Sequence, residues 1–95
     1  MDRASAKWMK REDDRILELL EKEGLARPSL ISREAFGKVS PGHVSERLAM
    51  LRHAELVAKT GLSSYELTEA GQRYLDGDLD AAHQPRPTVG RVLRG

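Results

Sequence analysis

The chain has 95 residues, of which 33% are charged and 39% are hydrophobic, and its formal net charge is +1. This length predicts one small domain that buries roughly 60% of the surface of the unfolded chain. The sequence contains no cysteine, which excludes disulfides, thiolate zinc sites and thiol-based redox sensing. No apolar run is long enough for a signal peptide or for a membrane span of about 20 residues. We therefore expect a cytoplasmic protein without membrane contact.

The charges alternate in sign along the chain. Residues 1–11, 25–52 and 81–95 each carry a net charge of +3, whereas residues 12–24 and 53–80 each carry −4. A fold that gathers the positive blocks on one surface could bind phosphates there while the acidic blocks face away. The basic residues expected on that surface are Lys7, Lys10, Arg11, Arg33, Lys38, Arg47 and Arg52. The alternative is that these charges only solvate a small protein.

The first predicted helix follows a basic arm. Glu12, Asp13 and Asp14 would lie in its first turn, where carboxylates stabilise the positive end of the helix dipole, and Gly24 marks its end. Its core-facing residues are Ile16, Leu19 and Leu20. We interpret this helix as scaffold.

Residues 28–36 and 41–54 predict the two helices of a helix–turn–helix. Ser40 can cap the second helix, and Val44, Leu48 and Leu51 repeat at i, i+4 and i+7 to form one buried stripe. The opposite face is small or polar and fits a major groove about 12 Å wide. Its residues are Gly42, His43, Ser45, Glu46 and Ala49. The alternative is that residues 41–54 form one helix of a small all-α domain.

A predicted hairpin follows, in which residues 56–60 and 64–67 flank a turn at Gly61-Leu62-Ser63. Thr68 can then cap a final helix that Gly77 ends. A hairpin directly after a candidate recognition helix is a wing. The sequence therefore predicts a mainly α fold with a small β-hairpin wing, the winged helix-turn-helix.

We assign residues 1–80 to this domain with its basic arm, and residues 81–95 to a flexible basic tail that contains two prolines and two glycines. Residues 76–80 resemble the start of a calcium loop, but Ala81 and Pro87 stand where such a loop needs glycine and glutamate. No histidine has neighbouring metal ligands, and no phosphate loop or activated nucleophile occurs. We expect no metal, no cofactor and no enzymatic activity.

Several segments together resemble the winged-helix regulators of archaea that are related to a halophage repressor, within the wider MarR and ArsR type. The segments that carry the resemblance are Ala6–Met9, Asp14–Leu20, Val44–Leu48, Leu56–Lys59, Tyr65–Leu75 and Gly77–Ala81. The resemblance implies a sequence-specific DNA-binding regulator, usually dimeric, with no catalytic residues. The chain departs from the family pattern at Lys10, where a Ser or Thr cap is usual. It also departs at Glu55, where a glycine normally ends the recognition helix and a non-glycine residue would be strained by about 1 kcal/mol.

We therefore predict a homodimeric transcription regulator that binds double-stranded DNA with helix 41–54 in the major groove. Ser40 and Gly42 would allow close approach to the DNA backbone, and base edges would be contacted by His43, Ser45 and Glu46. Lys38, Arg47 and Lys59 would hold phosphates. Dimer contacts are expected from Trp8, Met9, Tyr74 and Leu75, although Trp8 and Met9 equally suit the core. The alternative function is a winged-helix module that binds another protein and no specific DNA, which the low net charge and the single basic residue of the wing favour.

Overall fold

Four α-helices and three short strands follow one another along residues 3–37 and 39–88, which the computed structural model describes. The order is α1 (Arg11–Glu23), β1 (Leu25–Ala26), α2 (Pro28–Ala35), α3 (Pro41–His53), β2 (Val57–Thr60), β3 (Ser64–Leu67) and α4 (Glu69–Leu75), with a 3-10 turn at Ala81–His83. Helix, turn, helix, hairpin and closing helix succeed one another as predicted. The winged helix-turn-helix fold is therefore confirmed.

Helix α1 begins without a serine or threonine cap. Asp13 stabilises this end of the helix instead. Its Oδ2 accepts a hydrogen bond from the backbone N–H of Lys10 at 3.0 Å, which is one of the two hydrogen bonds of a capping box. The helix ends at Gly24, whose φ of 83° is easily adopted only by glycine. Ile16 and Leu20 are buried, as predicted, and α1 forms the support on which α2, α3 and α4 pack.

The helix–turn–helix is held at both sides of its turn. The hydroxyl of Ser40 accepts from the backbone N–H of His43 at 3.1 Å, so the predicted cap of α3 is confirmed. The hydroxyl of Ser32 on α2 donates to the carbonyl of Val39 in the turn. The predicted stripe of α3 is fully buried, with a relative exposure of 0% for Val44, Leu48 and Leu51. Burial of this stripe fixes which face of α3 remains outside.

The three strands form an antiparallel sheet in the order β1-β3-β2. Thr60 lies opposite Ser64, so the predicted wing is a hairpin with a three-residue loop, in which Gly61 adopts a φ of 67°. The sequence analysis did not predict β1. This strand has only two residues, which is too short for an alternating pattern, and it forms by pairing with β3.

The junction between α3 and α4 combines a strained residue with a close contact. Glu55 has a φ of 65°, which confirms the left-handed conformation expected where α3 ends. The Thr68 hydroxyl donates to the Glu55 carbonyl at 2.7 Å and accepts from the N–H of Gly71 at 3.0 Å, so the predicted cap of α4 is confirmed. A Cβ at Gly71 would lie 2.2 Å from the carbonyl oxygen of Leu56. Only a glycine at position 71 lets α4 approach the backbone so closely.

Side chains of the N-terminal arm and of α1 tie both elements to α4. Arg3 donates to the carbonyl of Leu75 at 3.1 Å and to the carboxylate of Glu18 at 2.6 Å. The hydroxyl of the buried Tyr74 donates to Asp14 Oδ1 at 2.7 Å. Burial and the neighbouring Asp14 carboxylate raise the pKa of Tyr74, because both disfavour a phenolate.

The predicted tail is packed over its first residues. The N–H of Ala81, a buried residue, donates to the carbonyl of Ala4 at 2.9 Å, and the Gln84 side chain donates to the carbonyl of Ala54 at 3.1 Å. Pro87 is also buried. Packed chain therefore extends beyond residue 80, because Ala81 joins the hydrophobic core. Residues 89–95 of the predicted tail lie outside the described residues.

Candidate nucleic-acid interface

The face of α3 opposite its buried stripe is open to solvent, as predicted. Gly42, Ser45 and Glu46 are exposed, and so is Ser40, which caps the helix. A Cβ placed on Gly42 would meet only the Ser40 hydroxyl, at 3.9 Å, so no protein atom crowds this end of the helix. The first turn of α3 thus offers a smooth surface and the positive end of the helix dipole, a combination that suits an approaching phosphate.

His43 does not point freely into solvent. Its Nε2 lies 2.8 Å from Oε2 of Glu12 on α1, and the two side chains keep 34% and 26% of their exposure. The predicted base-reading imidazole is thus held at one nitrogen by a carboxylate. Only its remaining edge is available to a partner.

The same contact affects Glu12, which the sequence analysis treated as part of the scaffold. The hydrogen bond from His43 lowers the pKa of Glu12, because it stabilises the ionised carboxylate. Glu12 and the exposed Glu46 therefore place two carboxylates close to the first turns of α3. A polyanion that binds this face must pass near both of them.

Arg47 lies in the protein interior, contrary to the prediction that it holds a phosphate. Its Nε and Nη2 donate to the two carboxylate oxygens of Asp13 at 2.8 and 2.7 Å, and the exposures of the two side chains are 7% and 0%. Nη2 also donates to the carbonyl of Trp8 at 3.3 Å, and the guanidinium carbon lies 6.0 Å from the centre of the Trp8 ring. The hydrogen bonds to Asp13 raise the pKa of Arg47.

The assignment of Arg47 to phosphate binding is therefore corrected. The Arg47 side chain is only 7% exposed and is held by two carboxylate hydrogen bonds. Turning it towards DNA would leave the Asp13 carboxylate buried without its partner. The spacing carried a signal of this outcome. Position 47 follows Val44 by three residues, which places it beside the buried stripe of α3.

Of the other two residues predicted to hold phosphates, the one that the structure describes is exposed. Lys59 is exposed on the wing, whereas Lys38 lies outside the described residues. The other exposed cations of the predicted basic surface are Lys7, Lys10, Arg11, Arg33 and Arg52. Lys10 and Arg11 immediately precede in sequence Glu12, the residue that contacts His43 on α3.

Two of the four predicted dimer residues belong to the core. Tyr74 and Leu75 have exposures of 0% and 7%, because they pack under the N-terminal arm and α1, and they offer no surface to a second subunit. Trp8 and Met9 are partly buried against the same core. They keep an exposed part and remain the candidates for a contact between subunits.

Two further features are absent from the residues that the structure describes. No group of three or more His, Cys, Asp or Glu side chains there is arranged to hold a metal ion. Over the same residues, no helix has the length and apolar character needed to span a membrane.

Comparisons with known proteins agree with this geometry. A family model described as "Winged helix-turn-helix phage repressor" matches residues 1–84. The crystal structure of the PhiH1 repressor-like protein from Haloarcula marismortui superposes with a TM-score of 0.84, at 33% sequence identity, over 92% of this chain and 99% of that one. A comparison with curated proteins gives no significant match. The chain belongs to the winged helix-turn-helix phage repressor family.

Proposed function

We propose that the protein is a cytoplasmic transcription regulator that binds specific sequences of double-stranded DNA as a homodimer. The observation that carries this proposal is the outward face of α3. Its exposed residues are small or polar, its N-terminal turn is capped, and a hairpin wing follows it directly. The similarity to a protein named as repressor-like supports the same function.

In this proposal the N-terminal half of α3 enters the major groove. Ser40 and Gly42 allow the DNA backbone to come close, and Ser45 and Glu46 face the base edges together with the free edge of His43. A glutamate in this position can accept a hydrogen bond from the exocyclic amine of cytosine. Glu46 would then contribute to specificity and oppose nonspecific binding.

Phosphate binding in this arrangement falls to exposed cations. Lys10 and Arg11, the exposed cations that precede Glu12 in the sequence, take the role predicted for Arg47, while Lys59 on the wing and Lys38 keep theirs. Each such contact contributes to binding of any sequence and adds to its salt dependence. Buried Arg47 contributes instead to the position of α3 on α1.

A homodimer would place two copies of α3 in successive major grooves, about 10 base pairs apart. The partly exposed Trp8 and Met9 are the proposed contacts, because apolar aromatic and methionine side chains are enriched in such interfaces. Sedimentation of the parent protein and of Trp8→Ala, at tens of micromolar and with and without operator DNA, tests this assembly. Only monomers under all of these conditions would contradict it.

DNA titrations test the reading surface. An operator is first selected from random duplexes, and binding to it and to a scrambled duplex is then measured at several salt concentrations. Ser45→Ala and Glu46→Gln should each weaken operator binding by about 1–3 kcal/mol and leave the scrambled duplex almost unaffected. Lys10→Ala should weaken binding to both duplexes and reduce the salt slope by roughly one counterion. Glu69→Gln, on the exposed side of α4, is the matched control and should bind like the parent.

A second candidate function is a winged-helix module that binds another protein. The carboxylates of Glu12 and Glu46 beside α3 favour it, because they oppose a polyanion and suit a basic protein surface. Genomic mapping of binding sites together with affinity purification separates the two functions. Discrete DNA sites support the regulator, whereas the absence of enriched sites together with a stable protein partner supports the module.

A further inference from the structure

The tip of the wing carries an apolar side chain that has no role in the fold. Leu62 is 95% exposed, and the other large hydrophobic residue exposed among the described residues is Leu25 on β1, at 51%. A leucine that buries almost none of its surface contributes almost nothing to stability. Its apolar surface is therefore available for a contact with a partner.

Turn geometry does not require a leucine at this position. Gly61 supplies the positive φ of the loop, and the remaining loop positions are normally polar, since Gly, Asn, Asp and Ser favour turns. Ser63 follows this preference and Leu62 does not. Leu62 is thus unusual both because its side chain is exposed and because turns normally have a polar residue or a glycine at such a position.

The charge around Leu62 indicates which kind of partner fits. Residues 56–65 contain no carboxylate and one basic residue, Lys59, although acidic residues stand on both sides of the segment, at Glu55 and Glu66. Lys59, Thr60 and the loop are all exposed. Strands of four residues extend about 13 Å, so this part of the wing reaches well away from the acidic base of the hairpin. An uncharged tip with a lysine behind it is compatible with a DNA backbone.

We propose that the wing tip enters the minor groove next to the major groove that holds α3, and that Leu62 inserts between two base pairs as an apolar wedge. A leucine in the minor groove partly unstacks a base step and bends the duplex towards the major groove. Flexible steps such as TA or CA would be preferred, since they unstack at least cost. Lys59 then holds a phosphate at the rim. This inference depends on the proposed DNA-binding function and adds a second contact with its own sequence preference.

The experiment uses the full-length protein and the selected operator labelled at its two ends with fluorescent dyes, so that energy transfer reports bending. A second duplex carries 2-aminopurine at the step under the wing, where its fluorescence rises on unstacking. Leu62→Ser should reduce the bend and the 2-aminopurine signal and should weaken operator binding about tenfold, the effect of losing most of one buried leucine. Leu62→Met keeps an apolar side chain at the tip and should retain the bend, the 2-aminopurine signal and the operator affinity. Leu25→Ser is the matched control and should behave like the parent.

The outcomes separate this inference from the function on which it depends. If the parent protein binds no duplex specifically, both the proposed function and the insertion of Leu62 are wrong. If the parent binds and Leu62→Ser binds and bends DNA equally well, only the wedge is wrong. If Leu62→Ser instead shifts the monomer–dimer equilibrium without DNA, Leu62 contacts a second copy of the chain and the wedge is likewise rejected.

Discussion

Arg47 on α3 and Asp13 on α1 form a doubly hydrogen-bonded ion pair in the protein interior, with N–O distances of 2.8 and 2.7 Å. The same carboxylate caps α1 through the N–H of Lys10, at 3.0 Å. One buried group thus fixes the start of α1 and the position of the candidate recognition helix. The pair orients the proposed DNA-facing surface without being part of it.

Arg47→Ala should destabilise the fold by about 3–5 kcal/mol, because it leaves the Asp13 carboxylate buried without its partner. Chemical denaturation measures this loss. Arg52→Ala, which removes an exposed arginine from the same helix, is the control and should change stability by less than about 0.5 kcal/mol. An Arg47→Ala protein of parental stability whose DNA binding has lost part of its salt dependence would restore Arg47 as a phosphate contact.

Glu55→Gly should stabilise the protein by up to about 1 kcal/mol, because glycine adopts the observed φ of 65° without strain. Glu55→Ala removes the same carboxylate but keeps a Cβ, so it should give little of this gain. Thermal unfolding of both variants separates backbone strain from charge. A less stable Glu55→Gly protein would mean that the flexibility gained by the unfolded chain outweighs the strain relieved in the folded one.

Two glycines in helices should respond in opposite ways to alanine. Gly71→Ala places a Cβ 2.2 Å from the Leu56 carbonyl oxygen, so α4 must move and we expect a loss of several kcal/mol, in the upper range for single substitutions. Gly42→Ala meets only the Ser40 hydroxyl, at an ordinary contact distance of 3.9 Å, and should be neutral or stabilising by up to about 1 kcal/mol. Circular dichroism during thermal unfolding measures both. If the DNA backbone approaches α3 as proposed, Gly42→Ala should nevertheless weaken operator binding.

Tyr74 should make the stability fall at alkaline pH. Its pKa is raised in the folded protein, whereas an unfolded tyrosine loses its proton near pH 10. The contribution is therefore fully present below about pH 10 and is lost as the pH rises above it, since only the unfolded state ionises there. Tyr74→Phe should remove this alkaline loss and cost about 1.5–3 kcal/mol at neutral pH, because Asp14 loses a hydrogen bond.

Tyr65→Phe on β3 is the matched control for this pH dependence. It leaves the hydrogen bond between Tyr74 and Asp14 in place and should keep the same decline above pH 10 in denaturant titrations. An unchanged alkaline decline in Tyr74→Phe would show that another group carries it.

Features that depend on neighbouring residues were accessible from the sequence. Ser40 and Thr68 cap their helices through N–H groups three residues ahead, and such contacts are set by local backbone geometry. The buried stripe of α3 followed from a helical repeat, whereas the left-handed conformation of Glu55 was expected from the family pattern, which usually has a glycine there. The two caps and the stripe were predictable because each depends on short-range spacing along the chain.

Only the tertiary structure determined which polar side chains are buried in contacts with other parts of the chain. Arg47 pairs with Asp13 across 34 positions, His43 with Glu12 across 31 and Tyr74 with Asp14 across 60. The sequence gives the charge of an arginine but does not show whether the fold places a carboxylate beside it in the interior. That carboxylate determines whether the arginine is buried in an ion pair or stays exposed and able to bind DNA. The local pattern therefore determined the fold and the exposed face of α3, whereas the packing of α1 against α3 determined which of the predicted residues remain on that face.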